Sequence, residues 1–257
     1  MDKKIYILGK DKRQQYLKKM YNTTDNIEEA SVVVLPIPLS RDLEYITGEN
    51  IRIEDFVDSL KGKIVFSGGI AKSIRRLLEV NNVEYYDLMD RDDVAIKNAI
   101  PTAEGAIKVA MEKLDKTIYG LNVLVLGFGR VGKVLADRLY KLGANVYCEA
   151  RKEKDLAEIY SMGYNGVSLN KLDSYLNKVD IIFNTVPFMI LTKKRLENLN
   201  PSIVIIDLAS APGGVDYAAA SCLKLDAGMY PGLPAKVAPY TAAIYLKDAI
   251  DSIITNI

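Results

Sequence analysis

The chain has 257 residues, 49% of them hydrophobic, enough for two modest cores in one or two domains. Lysine and arginine number 34 against 33 aspartate and glutamate, a net charge of +1 that offers nucleic acid no electrostatic footprint, and the longest apolar runs, at 32–35 and 203–206, are strand-sized rather than bilayer-spanning. Histidine is absent, which excludes Ser–His and Cys–His nucleophilic dyads, the His–carboxylate pair of lactate-type dehydrogenases and any His-containing zinc site.

The N-terminal MDKKIYILGKDK enters a strand without the apolar core or cleavage site of a signal peptide, so a cytoplasmic protein is expected. Residues 4–8, 32–36, 63–67 and 83–86 read as strands, separated by helical stretches near 14–20, 53–59 and 73–79. Alternation of this kind points to a parallel sheet. A linking helix is expected from about Thr102 to Leu114, with a proline at its start. A second sheet follows from strands at 123–126, 145–148, 166–168, 181–184, 203–207 and 224–226, and a last helix at about 238–254. Cys148 and Cys222 lack metal-ligand or C-x-x-C spacing and read as structural thiols, and no metal is expected. The expected fold class is α/β, with two Rossmann-like parallel-sheet domains and an inter-domain cleft. Residues 1–115, joined by the C-terminal helix at 238–257, would form a flavodoxin- or Rossmann-like substrate domain, and 116–237 a nucleotide domain.

The stretch 123–152, VLVLGFGRVGKVLADRLYKLGANVYCEARK, reads as one βαβ unit. Gly127, Gly129 and Gly132 stand at the G-x-G-x-x-G spacing between a buried strand and an amphipathic helix marked by Val134, Leu135, Leu139 and Leu142, with Gly143 as its terminator. The first glycine permits the turn, the second admits a pyrophosphate, and the third lets helix and strand pack closely. Phe128, Arg130 and Val131 complete the loop and helix start. The position where an NAD-specific fold carries an acid on the ribose 2′-hydroxyl falls on Ala150, followed by Arg151 and Lys152. Glu149 is one residue early, and strand alternation is expected to turn it away from the ribose. NADP is therefore expected over NAD, with Arg151 and Lys152 at the 2′-phosphate. Asn184, Thr185, Val186 and Pro187, and Leu208 and Ser210, follow later strands and are candidates for the nicotinamide end.

Six separated segments, FSGGI (66–70), DRDDVAIKNAIPTAEGAI (90–107), LGFGRVGKVLADRLYKLGANV (126–146), NTVPFMIL (184–191), IDLASAPGGVDYAAA (206–220) and PGLPAKVAP (231–239), resemble the family of dipicolinate synthase A subunits. The likeness is strongest from Phe66 onward. Gly9-Lys10-Asp11-Lys12-Arg13 stands where the family often has Gly-Gly-Asp-Arg, and Gly232-Leu233-Pro234-Ala235 where it commonly has Gly-Leu-Pro-Gly. The resemblance implies an NADP- or NAD-dependent oxidation of a dihydrodipicolinate, or its hydrated lysine-pathway precursor, in the mother-cell cytoplasm of a sporulating bacterium. It also implies a heteromeric complex whose other member is a flavoprotein-like B subunit. A homo-oligomer is expected, with no nucleic-acid or membrane partner.

Aromatising a dihydropyridine removes a hydride and a proton while two carboxylates are held in register. Ser67, Gly68 and Gly69 are expected to offer a hydroxyl and backbone N–H groups to one carboxylate. Arg91 would bind a second in a fork, and Lys236, between Pro234 and Pro239, would add a cation. Asn98 and Thr102 join the substrate set, and Glu104, at the start of the linking helix, is the expected proton acceptor. Two other readings fit the residues: a cofactor-binding regulatory or assembly subunit without turnover of its own, and a dehydrogenase for another small dicarboxylate.

Overall fold

The computed structural model describes residues 4–256; Met1, Asp2, Lys3 and Ile257, at the ends of the expected first domain, lie outside them. The chain divides into two α/β units, one running to Asn98 and resuming at Ala238, the other spanning Ala99–Val237.

In the first unit, β1 (Ile5–Ile7), α1 (Lys12–Met20), β2 (Val32–Val34), α2 (Ile53–Phe56), β3 (Ile64–Ser67), α3 (Lys72–Val80) and β4 (Glu84–Asp87) build a parallel sheet of order β1-β2-β3-β4. Taken alone, that order would require a left-handed connection, because α1 packs on one face and α2 and α3 on the other. Thr23 resolves this. It forms a single parallel bridge on the outer edge of β1, where the Ile5 N–H donates to Asn22 O and the Thr24 N–H to Ile5 O, both at 3.1 Å. The chain order across the sheet is thus second, first, third, fourth, fifth, the flavodoxin-like arrangement, with the second strand reduced to one residue. Side chains alternate as a doubly covered sheet requires. Ile5, Ile7, Val32, Val34 and Phe66 face Leu17 of α1, while Val33, Leu35 and Val65 face Ile53, Ile74 and Leu78.

The linking helix, α4 (Asp92–Lys113), is longer than the sequence suggests and carries Pro101 in its interior rather than at its start. The proline forfeits one backbone hydrogen bond, a cost of about 3 kcal/mol. Burial on both sides of it offsets this: Val94 and Ala99 before it, and Ala103, Ala106 and Ala110 after it, are fully covered. The unit boundary accordingly falls inside α4, after Asn98, and not after residue 115, because Ala103 to Ala110 belong to the second core.

The second unit continues with β5 (Asn122–Leu126), α5 (Arg130–Lys141), β6 (Asn145–Ala150), α6 (Glu153–Ser161), β7 (Asn165–Ser168), β8 (Ile181–Asn184), α7 (Lys193–Leu196), β9 (Val204–Asp207), α8 (Tyr217–Cys222), β10 (Asp226–Met229) and α9 (Leu233–Val237). All its strands are parallel, in the order β10-β9-β8-β5-β6-β7. This is the Rossmann order, and its reversal point lies between β5 and β8. Val123, Val125, Ile181, Phe183 and Ile206 face one core, and Leu124, Leu126, Ile182 and Ile205 the other. β10 begins two residues later than expected because Lys224, at φ +56°, is held in the left-handed turn that ends α8. The helices α6 to α9 had no distinct sequence signal; α7, α8 and α9 have only four to six residues, too short for a full apolar period.

The C-terminal α10 (Pro239–Thr255) returns to the first unit and packs on α1. Its Ala243, Leu246, Ala249 and Ile250 complete that core, and the Tyr21 hydroxyl donates to Asp251 at 2.8 Å. Leu142, counted from its spacing on the apolar face of α5, is instead the C-cap and 41% exposed. Leu246→Ala should therefore cost about 2–5 kcal/mol in denaturant unfolding, while Leu142→Ala should stay within about 0.5 kcal/mol. Comparable losses would contradict this placement of the two leucines.

Candidate functional site

Three glycines at the top of β5 have separate steric roles. Gly127 is at φ +90°, and a Cβ there would come within 2.6 Å of Val186 Cγ2 and 2.7 Å of Thr185 Oγ1. Gly132 lies under the Gly127 carbonyl oxygen, which any side chain at 132 would overlap. Gly129 is different. Among the described residues, nothing beyond its chain neighbours comes within 4 Å of a Cβ built there, and α5 has no side-chain N-cap. An open approach to a helix N-terminus, next to a tightly closed turn, is the shape a pyrophosphate needs.

A cavity of about 520 Å³ opens beside this loop. Gly127, Phe128, Gly129, Arg151, Lys152, Thr185, Val186 and Pro187, all candidates from the sequence, line it together. Arg130 and Val131 occupy the first turn of α5. Glu149, Ala150, Asp155, Leu169, Phe188, Met189 and Ile190 line it too. Phe188 is 70% exposed, and a bare Phe-Met pair in a turn otherwise built from Asn, Thr and Pro was the signal that could have marked this wall.

Glu149 and Ala150 both border the cavity, so alternation does not divide them between cavity and core as the sequence suggests. Glu149 is only 2% exposed, and its Oε1 has no hydrogen-bond partner. Burial holds its carboxyl above the usual carboxylate range, while the Gly127 backbone N–H and the Arg151 and Arg195 guanidinium groups pull the other way. Ala150, not Glu149, faces the core beneath α5, together with Val146 and Cys148. Burial also pushes the Cys148 thiol up to about 12, whereas Cys222 is exposed.

Asn184 and Asp207 are fully buried at the ends of β8 and β9. Asp207 accepts from Asn184 Nδ2 (2.8 Å), the Ala209 N–H (3.0 Å), the Gly214 N–H (2.9 Å) and the Tyr217 hydroxyl (2.8 Å). Asn184 also closes its own turn, donating to Val186 O and accepting from the Val186 N–H. Thr185 Oγ1 donates to Leu126 O at 2.8 Å. Asn184 thus shapes the loop from below, while Leu208 packs on the core beneath α5 and Ser210 caps a turn through its carbonyl; neither lines the cavity.

The substrate candidates fare differently. Ser67 is buried with its hydroxyl donating to Pro36 O at 2.7 Å, and the Gly69 N–H donates to Asp87 at 3.0 Å, so neither group is presented to a ligand as expected. Gly68 is pressed on Met89, whose Cγ would lie 2.7 Å from a Cβ there. The Arg91 fork is engaged by Asp93, Nε to Oδ1 at 2.9 Å and Nη2 to Oδ2 at 3.0 Å. Asn98 and Thr102 stand half-buried one turn apart on α4, and Lys236 is exposed on α9. Glu104 is exposed and pairs with Arg138 Nε at 3.6 Å. Arg138 lies eight residues into α5, about 12 Å along the axis from its first residue, so Glu104 pairs at a distance from the glycine loop. Among the described residues, no cluster of three His, Cys, Asp or Glu side chains is placed to hold a metal, and no helix is long and apolar enough to cross a membrane.

Residues 96–224 match the family described as D-isomer specific 2-hydroxyacid dehydrogenase, NAD binding domain. Fold and site together define a nicotinamide-dependent oxidoreductase. The chain is 37% identical over 205 residues to the A subunit of dipicolinate synthase from Bacillus subtilis (strain 168), covering 79% of this chain and 69% of that protein. The crystal structure of the dipicolinate synthase A subunit from Bacillus halodurans matches with a TM-score of 0.90 at 31% identity over 98% of each chain. That of its Bacillus subtilis counterpart matches at 0.88 and 30% identity, over 100% of this chain and 97% of that one. The chain belongs to the family of dipicolinate synthase A subunits.

The buried Glu149 has a stability consequence. Its carboxyl is held above the ordinary value of 4.5, so as pH rises past that value the unfolded chain releases its proton first and folding stability falls. Without added nucleotide, Glu149→Gln should raise the melting temperature at about pH 8, and the gain should vanish by about pH 4. Parallel melting curves for the two proteins across that range would refute the assignment.

Proposed function

We propose that this chain is the NADP(H)-dependent dehydrogenase component of a dipicolinate synthase. It oxidises a dihydrodipicolinate, or its hydrated lysine-pathway precursor, to dipicolinate in the mother-cell cytoplasm of a sporulating bacterium, partnered by a flavoprotein-like B subunit. One observation carries the cofactor reading: the open approach at Gly129 and the Arg151-Lys152 pair border a single cavity. The resemblance to the A subunits of dipicolinate synthase supplies the substrate class.

The N-terminus of α5, open at Gly129, would hold the pyrophosphate. Arg151 and Lys152 follow β6 and would take the 2′-phosphate, with Arg151 offering a charge-assisted fork. Val186 and Pro187 would flank the dinucleotide, and Thr185, whose proton is engaged by Leu126 O, offers only its lone pairs. Bound nicotinamide supplies the hydride acceptor.

A second reading has an observation of its own. The polar groups of Ser67 and Gly69 and the Arg91 fork are satisfied inside their own unit, which favours a component that binds cofactor while a partner completes the chemistry. A coupled assay separates the two. The aldol synthase of the lysine pathway generates substrate, and dipicolinate absorbance and reduced nicotinamide are followed with this chain present or absent, each with and without the B subunit. Equimolar appearance of both products, dependent on this chain, is expected. Equal dipicolinate formation when the B subunit works by itself would reduce this chain to a binding component.

In the same assay, Arg151→Ala should lower the NADP-to-NAD ratio of kcat/KM by about ten- to a hundredfold, the worth of one charge-assisted hydrogen bond at about 1.5–3 kcal/mol. An unchanged ratio would remove Arg151 from the 2′-phosphate.

A further inference from the structure

The helices α4, α5 and α6 share one core in the second unit, and their end farthest from the glycine loop leaves large apolar side chains bare. α5, with 12 residues, is about 18 Å long, and the loop lies at its start. Around its far end stand Met111 on α4, Tyr119 before β5, Tyr140 in the last turn of α5, and Tyr160 and Met162 where α6 ends, all of them exposed. They form a patch rather than scattered side chains. The Tyr119 ring lies on the backbone of Gly143, where a Cβ would overlap its Cδ2, and the Tyr140 hydroxyl lies 3.2 Å from the Cβ position of Gly163, the residue after Met162. Tyr140 also packs on the buried ring of Tyr164, with centroids 5.2 Å apart. Tyr119 is nonetheless 77% exposed and Tyr160 82%. A ring supported on one face, as Tyr119 is, loses little conformational freedom when a partner covers the other, which is the character of an interface anchor.

The shape and charge of this face say what covers it. On one flank, a groove of about 440 Å³ between α4 and α5 is lined by Ile107 and Met111, with Glu104, Arg138 and Lys141 at its border. On the other flank, Tyr160 stands out from the end of α6. The charges near the groove balance: Glu104 pairs with Arg138 at 3.6 Å, Lys108 with Glu112 at 3.4 Å and Lys141 with Asp137 at 2.9 Å. A face without a net sign steers neither a strongly acidic nor a strongly basic partner, whereas a copy of itself brings the same mixture of charges. At about 150–250 Å² per aromatic side chain, the three tyrosines present on the order of 400 Å², half of the roughly 800 Å² per partner in a stable complex.

We propose that this face joins two copies of the chain about a two-fold axis near the end of α5, with Tyr160 of each copy seated in the α4–α5 groove of the other. A protrusion and a groove on opposite flanks of one face are matched twice by such an axis, and only once by head-to-tail stacking. The Tyr160 ring then meets Ile107 and the thioether of Met111, a favourable neighbour for an aromatic edge. Both glycine loops lie at the opposite ends of their α5 helices and stay open, so the assembly does not depend on whether the cavity beside them holds a dinucleotide.

Sedimentation of the full chain from about 1 to about 100 µM should show a species at twice the 28.5 kDa chain mass. Tyr160→Ser and Met111→Lys should each raise its dissociation constant by about tenfold or more, the loss of one anchor. Leu43→Ser, at an exposed apolar position of the first unit, should leave it unchanged. A cross-link locates the contact. With the exposed native thiol removed by Cys222→Ser, Ser161→Cys chains mixed with Lys108→Cys chains should be joined by a short bis-maleimide, and neither should be joined to its own kind. A chain that stays monomeric at the highest concentration overturns the inference, as does a dimer that neither anchor substitution weakens or whose mixed cysteines stay unlinked. A monomer that needs Tyr160 to bind the flavoprotein-like B subunit would overturn it too, by assigning the face to that partner. The cross-link decides the matter if an anchor variant fails to fold.

Discussion

The site depends on a contact that only a glycine permits. Gly132 lies so close beneath the Gly127 carbonyl that the start of α5 is locked against the end of β5, and Gly127 in turn has no room for a side chain because Val186 and Thr185 press on it. Those two residues follow β8, the neighbour of β5 across the reversal point of the sheet. Connections leave β5 and β8 toward opposite faces, so a crevice opens between them, and a pyrophosphate is admitted because the loop is tight at two glycines and open at the third. Thr185 fastens the two strand ends by donating to Leu126 O.

The far side of the crevice is held by a buried carboxylate as well as by the packing of Ile190, Leu191 and Val215. Asp207 accepts from four donors that come from β8, its own turn, the Gly213-Gly214 corner and α8. Each donor would lose about 1–3 kcal/mol if left buried and unpaired, so the network makes the loop after β8 rigid. The Tyr217 hydroxyl, raised in pKa by its burial and by the Asp207 bond, stays protonated and remains a donor throughout the physiological range. Rigidity allows the apolar Phe188 and Met189 to stand exposed at the cavity wall rather than collapse onto the core.

How much of this could be read in advance follows from the periodicity each element presents. The buried strands β5, β8 and β9 are continuous apolar runs between turn residues, and the glycine triplet fixes the first of them, so the nucleotide unit was legible from sequence. Thr23 forms one bridge, and a single residue has no period, so the edge strand that gives the first sheet its handedness was invisible. Pro101 misled because its local preference for a helix start was overridden by burial of alanines on both sides. Glu149 misled in another way. Alternation separates Glu149 from Ala150 along the strand, yet at the strand end both residues border the cavity, although Ala150 also packs on the core. Parity along a strand identifies which residues share a face; it does not identify which face holds the ligand.

The first unit shows the same limit for polar groups. Ser67, Gly68 and Gly69 have the composition of an anion-binding turn, yet Pro36 O and the carboxylate of Asp87 already occupy the Ser67 hydroxyl and the Gly69 N–H. Asp87 also accepts from the Ile70 and Met89 N–H groups and from Arg75, so it fills the position an external carboxylate would take. The Gly129 loop differs in one respect: among the described residues nothing beyond its chain neighbours comes within 4 Å of a Cβ at Gly129, and α5 begins without a side-chain cap. A glycine turn becomes a binding site only when the surrounding fold leaves its N–H groups without an internal acceptor. By that criterion the second unit holds the cofactor machinery, and the carboxylates of the substrate need donors other than the Ser67 turn.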